Sequence, residues 1–171
     1  MTLVELLVAT MIGIAVLGGG VAMMVSAMRS EPRVSERNDQ IQAARTTLER
    51  LTRELRQSWS VPVASSTQLS ILTYVRASSC GGAPAATSIQ CRVNYSCSTA
   101  SCTRTERTTA NAGSAPAETV VSGISSASFS YSPTAASPTW IGATLRFPQA
   151  NGTESVTISD GAGMRNAGLA Q

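Results

Sequence analysis

At 171 residues, with 13 basic and 10 acidic side chains, the chain carries a formal charge of +3, too little to make nucleic acid a specific partner. Every basic residue is arginine, so that charge persists at any physiological pH. Histidine is absent, which removes the commonest general base, the commonest metal ligand and any Ser-His-Asp triad.

The first element is apolar. No charged side chain occurs from Leu6 to Met28, and about 20 apolar residues suffice to cross the hydrocarbon core of a bilayer. Glu5 stands immediately ahead of this run, where a carboxylate costs about 2.5–3.5 kcal/mol if carried to mid-membrane depth. A secretory signal peptide fits poorly, because no Lys or Arg precedes the run and the run is too long. A plain transmembrane anchor fits the length and leaves Glu5 unexplained. Arg29, Arg33 and Arg37 follow the run, which under the positive-inside tendency keeps the remainder cytoplasmic. The cysteines downstream point the other way. Both are reconciled if a basic leader has been cut away, leaving the amine of Met1 to neutralise a glutamate of its own chain or of a neighbouring copy.

Met-Thr-Leu-Val-Glu-Leu-Leu-Val followed by a long apolar helix resembles the mature N-terminus of type IV pilins and type II secretion pseudopilins. That family begins with an aromatic residue and continues Thr-Leu-x-Glu-Leu; Thr2 and Glu5 match it by position, and Met1 departs from the usual Phe. The resemblance implies a leader removed by a prepilin peptidase, N-methylation of Met1, and an assembly role for Met1, Thr2 and Glu5, with Glu5 meeting the terminal amine of an adjacent subunit.

The helix is expected to continue past the apolar run. Val34, Ile41, Ala44, Leu48, Leu51 and Leu55 recur at spacings of three and four and form one stripe, with Leu48, Leu51 and Leu55 expected in the core. Glu49–Arg53 is the expected i,i+4 ion pair. Two places should disturb the helix: Gly18-Gly19-Gly20, each about 1 kcal/mol worse than alanine, and Pro32, which removes a backbone donor and implies a bend near Ser30–Pro32. Assembled pilins often lose helix within the apolar segment around a proline, and the resemblance gives that melting role here to Gly18, Gly19 and Gly20.

Ser60–Ser66, with Pro62, should end the helix and turn the chain. Gln68–Val75 and Ser88–Tyr95 read as strands, CSTASCTRTERTT as a pinned hairpin or loop, and ETVVSGI, SASFSYS, ATLRF and ESVTIS as further short strands. The expected fold class is α+β: a long N-terminal helix, apolar then amphipathic, packed on an antiparallel sheet in a pilin-like layout. The expected divisions are residues 1–30, 31–59 and 60–171. Four cysteines fall between Cys80 and Cys102, and an even count in such a region suggests two disulfides in an oxidising compartment. Three pairings are possible; Cys80–Cys91 and Cys97–Cys102 are favoured because each closes a short loop. Glu106, Glu118, Glu154 and Asp160 look scattered, and Gly161 and Gly163 make no phosphate-binding fingerprint. No catalytic residue, cofactor or metal site is expected. Asn94-Tyr95-Ser96 and Asn151-Gly152-Thr153 match a glycosylation pattern that arises often by chance.

The function implied by the resemblance is a structural subunit polymerising into an extracellular type IV pilus filament, resident in the inner or cytoplasmic membrane before assembly. Staggered helices would bury Leu3, Val4, Leu6, Leu7, Met11, Ile14, Val16 and Leu17 against one another. The implied partners are further copies of the chain, the prepilin peptidase, the pilus assembly machinery and the membrane. Cell adhesion, motility and protein secretion are the roles such filaments serve. VVSGISSASFSYS and GMRNAG resemble segments of minor pilins and pseudopilins, so a priming subunit is one alternative; a membrane-anchored extracellular binding module that never polymerises is another.

Overall fold

Two hydropathy patterns share one helix. α1 spans Leu3–Gln57 in the computed structural model, which describes residues 2–76, 80, 87–113, 115–148 and 155–166, without the side chains at 27 and 29–37. The chain divides into two compact units, Met1–Asp39 and Gln40–Gln171, so the amphipathic end of the helix belongs with the strands.

Over Leu3–Ser26 apolar residues surround the helix on every side, and nothing among the described residues covers them. The stretch Leu3–Ser26, 24 residues, is long and apolar enough to cross a membrane, and none of it is buried. The helical assignment runs through Gly18–Gly20 and through Pro32 in this single chain.

In the second unit the apolar residues fall on one stripe and are covered. Ala44, Leu48, Leu51 and Leu55 are buried, Ile41 is half-buried, and Val34 has its side chain outside the described residues. The last turn is closed by hydrogen bonds to carbonyls that a helix end leaves unpaired. The Ser58 hydroxyl donates to the Leu55 carbonyl at 2.7 Å, and the Thr73 hydroxyl donates to the Glu54 carbonyl at 3.1 Å. The second of these reaches the helix from a strand, so the cap is also a tertiary contact.

Eight antiparallel strands follow: β1 Ser60–Ala64, β2 Gln68–Val75, β3 Ile89–Cys97, β4 Ser101–Arg107, β5 Glu118–Ser122, β6 Ser126–Ser132, β7 Trp140–Phe147 and β8 Val156–Gly163. They make two sheets where one was expected: β1-β2-β3-β4-β5 and β6-β7-β8. The break follows β5, where Gly123 adopts a left-handed φ of +73° and the Gln40 side chain occupies the space a Cβ would need. The segment expected to be a turn contains β1. Pro62 is tolerated there because β1 is an edge strand and the register shifts between Ser60 and Val63. The cysteine-bearing segment expected as a pinned hairpin or loop forms the β3–β4 hairpin, and its second strand, β4, is also paired to β5 and so lies inside the sheet.

Both sheets contribute to one core beneath the helix stripe. Leu69, Ile71, Val93 and Val121 come from the larger sheet, and Phe129, Ile141, Leu145 and Phe147 from the smaller. The sheets are tied through the β1–β2 turn: the Phe129 N–H donates to the Ser66 carbonyl at 2.8 Å, and the Tyr131 hydroxyl donates to the Ser65 carbonyl at 2.7 Å. On β7, Trp140 lies across Gly142 and Gly161, which are register partners, so the ring takes the space that side chains there would fill. Gly161 thus serves packing.

Candidate functional site

Thr2 lies just outside the helix and Glu5 in its first turn. The Thr2 carbonyl accepts from the N–H groups of Glu5 and Leu6 at 3.0 and 3.4 Å, and the Thr2 N–H donates to Glu5 Oε2 at 3.4 Å. Thr-x-x-Glu at this place is the sequence pattern of a capping box, in which the glutamate reaches back to the N-cap amide. Glu5 therefore has a local structural use inside its own chain, although a single contact at 3.4 Å is a weak one. Beyond it come Leu3, Leu6, Leu7, Met11, Ile14 and Leu17, all exposed. Met1 lies outside the described residues. Gly18, Gly19 and Gly20 have open space where side chains would project.

The second concentration of polar chemistry lies between α1 and the larger sheet. Register places Tyr95, Arg104 and Glu118 in one row across β3, β4 and β5. Glu54, buried in the last turn of α1, sits over that row. Its Oε1 accepts from Arg104 Nη2 at 2.7 Å and Arg50 Nε at 3.3 Å; its Oε2 accepts from the Tyr95 hydroxyl at 2.7 Å. Arg104 also donates to Glu106, and Arg50 reaches Glu118 Oε2 at 3.1 Å. Arg50–Glu54 is the i,i+4 pair of this helix segment; the expected Glu49–Arg53 pair is absent among the described ion pairs. Glu49 and Arg53 both face water, where holding two long side chains together yields little.

Burial sets the electrostatics of the cluster. It raises the Tyr95 phenol far above its usual value, and the charge of Glu54 raises it further. Burial opposes the charge of Arg104, but the charge of Glu54 and hydrogen bonds to Glu106 and Glu54 outweigh it, and the guanidinium stays protonated. In the other sheet, burial pushes the Tyr131 phenol up to about 12. A neutral phenol, a fixed guanidinium and a carboxylate, each occupied with the others, make a clamp joining the helix to three strands. The carboxylates read as scattered, Glu106 and Glu118, converge here. Separations of 50 and 68 residues hid that from the sequence. The signal available was an arginine, Arg104, at a position of β4 whose alternation turns it inward.

The cysteines pair as Cys80–Cys91 and Cys97–Cys102. Cys97 and Cys102 are register partners flanking the β3–β4 turn, so that bridge pins a hairpin. Asn94 is a half-buried residue of β3, while Asn151 and Glu154 lie outside the described residues.

No protein-family model, no curated protein and no solved structure matches this chain.

Proposed function

We propose that the chain is a structural subunit of the type IV pilin class, which polymerises into an extracellular filament through the apolar part of α1. One observation carries this reading: a 24-residue apolar helix, uncovered on every side, opens with a glutamate and leads into a disulfide-bearing β unit. A helix apolar all round must be buried, in lipid or in other protein. Before assembly the bilayer covers it. Leaving the bilayer requires surroundings equally apolar, and the same helix from neighbouring copies supplies them.

Glu5 sets the register in this mechanism. Its one contact among the described residues leaves most of its acceptor capacity open, which hydrocarbon penalises. The terminal amine of an adjacent subunit would neutralise it, and an incoming subunit out of register would leave a charge unpaired. The triple glycine lowers the cost of stretching the helix during packing, by about 1 kcal/mol per residue relative to alanine. Folded β units then face water on the filament's surface, outside the membrane, where disulfides persist.

The Thr2–Glu5 cap favours a second reading, an anchored extracellular module that never polymerises, because there the glutamate needs only its own helix. Glu5→Gln separates the two. Glutamine also suits a capping box, so helix and membrane insertion should survive while sheared surface filaments fall to background. Wild-type filament yield from this variant would overturn the assembly role of Glu5. The abundance of the chain in sheared filaments distinguishes a bulk subunit from a priming one.

A further inference from the structure

The larger sheet has a second face, turned away from α1, and alternation sends a different set of side chains there. Arg92 on β3 and Arg107 on β4 are direct register partners on that face, with Asn94 and Thr105 the next pair along. Like charges directly opposite on neighbouring strands repel. In a stable sheet such a pair is normally offset by a carboxylate. Here neither guanidinium has an ion-pair or hydrogen-bond partner among the described residues, and the Nε atoms of both are buried without one. Glu106, beside Arg107 in sequence, is engaged on the opposite face with Arg104.

The two arginines line a cavity of ≈ 330 Å³, together with Ser70, Asn94, Thr105 and Gln68. Ser70 is only 3% exposed, and its hydroxyl has no hydrogen-bond partner among the described residues. A buried hydroxyl without a partner is destabilising, and here it lies in the wall of a pocket that already holds two uncompensated positive charges. We propose that this face binds an acidic sugar unit, a monosaccharide bearing a carboxylate or a sulfate. The paired guanidiniums take the anionic group, as arginine forks do for planar or tetrahedral oxyanions. Ser70, Asn94 and Thr105 supply donors and acceptors for the sugar hydroxyls. The volume lies at the lower end of the range for small-molecule sites, which suits one sugar ring. The site stands independently of the filament reading, because it belongs wholly to the β unit.

The test is calorimetric titration of the full chain, held as a monomer in detergent micelles, at low ionic strength. Glucuronate and glucose 6-sulfate are the acidic probes and glucose the neutral one. Saturable heat with either acidic sugar and none with glucose is expected; which acid binds identifies the group. Arg92→Gln and Arg107→Gln should each weaken that binding at least tenfold, while Arg146→Gln, on β7, should not. The ligand-free thermal midpoint of the two cavity variants should hold or rise, since one repelling charge is gone. Equal binding of glucose, no saturable binding of either acid, or a lowered midpoint with unchanged affinity would each overturn the site.

Discussion

The two halves of α1 show how one secondary structure meets two fates. Leu17 is 71% exposed and Leu55 is fully buried, yet both are leucines on the same helix. Apolar residues between Leu3 and Ser26 surround the axis, and no partner within one chain can cover a cylinder. Those from Ala44 to Leu55 keep to a stripe, and a sheet covers a stripe. The glutamates repeat the lesson. Glu54 is buried and accepts from three donors, all supplied by its own chain. Glu5 accepts from one among the described residues, at 3.4 Å. The folded unit has completed the environment of its acid, and the apolar helix has not.

The largest effect should come from removing the completed acid. Glu54→Ala leaves Arg104 buried without its main counter-charge and strips the Tyr95 hydroxyl of its acceptor. Breaking a buried pair in this way costs roughly 3–5 kcal/mol. Urea unfolding of the micelle-held chain, followed by tryptophan emission from Trp59 and Trp140, should register that loss. Glu5→Ala should leave the same midpoint unmoved. Comparable losses from both would erase the distinction between the two regions.

The sequence made some of this division visible. The stripe was readable because its spacing matches the helical repeat, Ser126–Ser132 because it alternates cleanly, and Gln68–Val75 because it alternates well enough for a half-buried strand. The pinned hairpin at Cys97 and Cys102 was readable, but the interior place of β4 was not, since its run of Thr, Arg and Glu looks like a solvated loop until pairing on both sides turns Arg104 inward. β1 was hidden by Pro62, harmless at an edge. The division into two sheets depends on Gly123 and on which strand edges meet, neither of which periodicity reports. The Glu54–Arg104–Tyr95 cluster was invisible because it exists only once β3, β4 and β5 are in register. Local pattern revealed the elements; it could not reveal what they bring together.

A pair of identical substitutions sharpens the contrast further. Leu55→Ala removes a fully buried side chain from the core and should cost roughly 2–5 kcal/mol, set by how far the site collapses. Leu17→Ala should leave the unfolding midpoint of the β unit unchanged, because no contact within that unit is lost. Under the filament reading it should instead reduce the resistance of assembled filaments to detergent. One substitution would then report on folding and its twin on assembly.

The smallest effect is a pH dependence confined to the β unit. An unfolded phenol loses its proton near about pH 10, whereas Tyr131 in the fold holds its proton up to about 12 and Tyr95 beyond that. Below the unfolded value both states are protonated, and stability is unaffected. Above it the unfolded chain releases protons that the fold retains, so alkali favours unfolding. Stability should be flat up to about pH 10 and decline from there, with Tyr131→Phe making the first part of the decline shallower. No tyrosine lies between Leu3 and Ser26, so amide exchange of that segment in micelles, corrected for its intrinsic pH dependence, should show no matching change. If protection of the apolar helix fell in step with the β unit, the two regions would be unfolding as one cooperative unit.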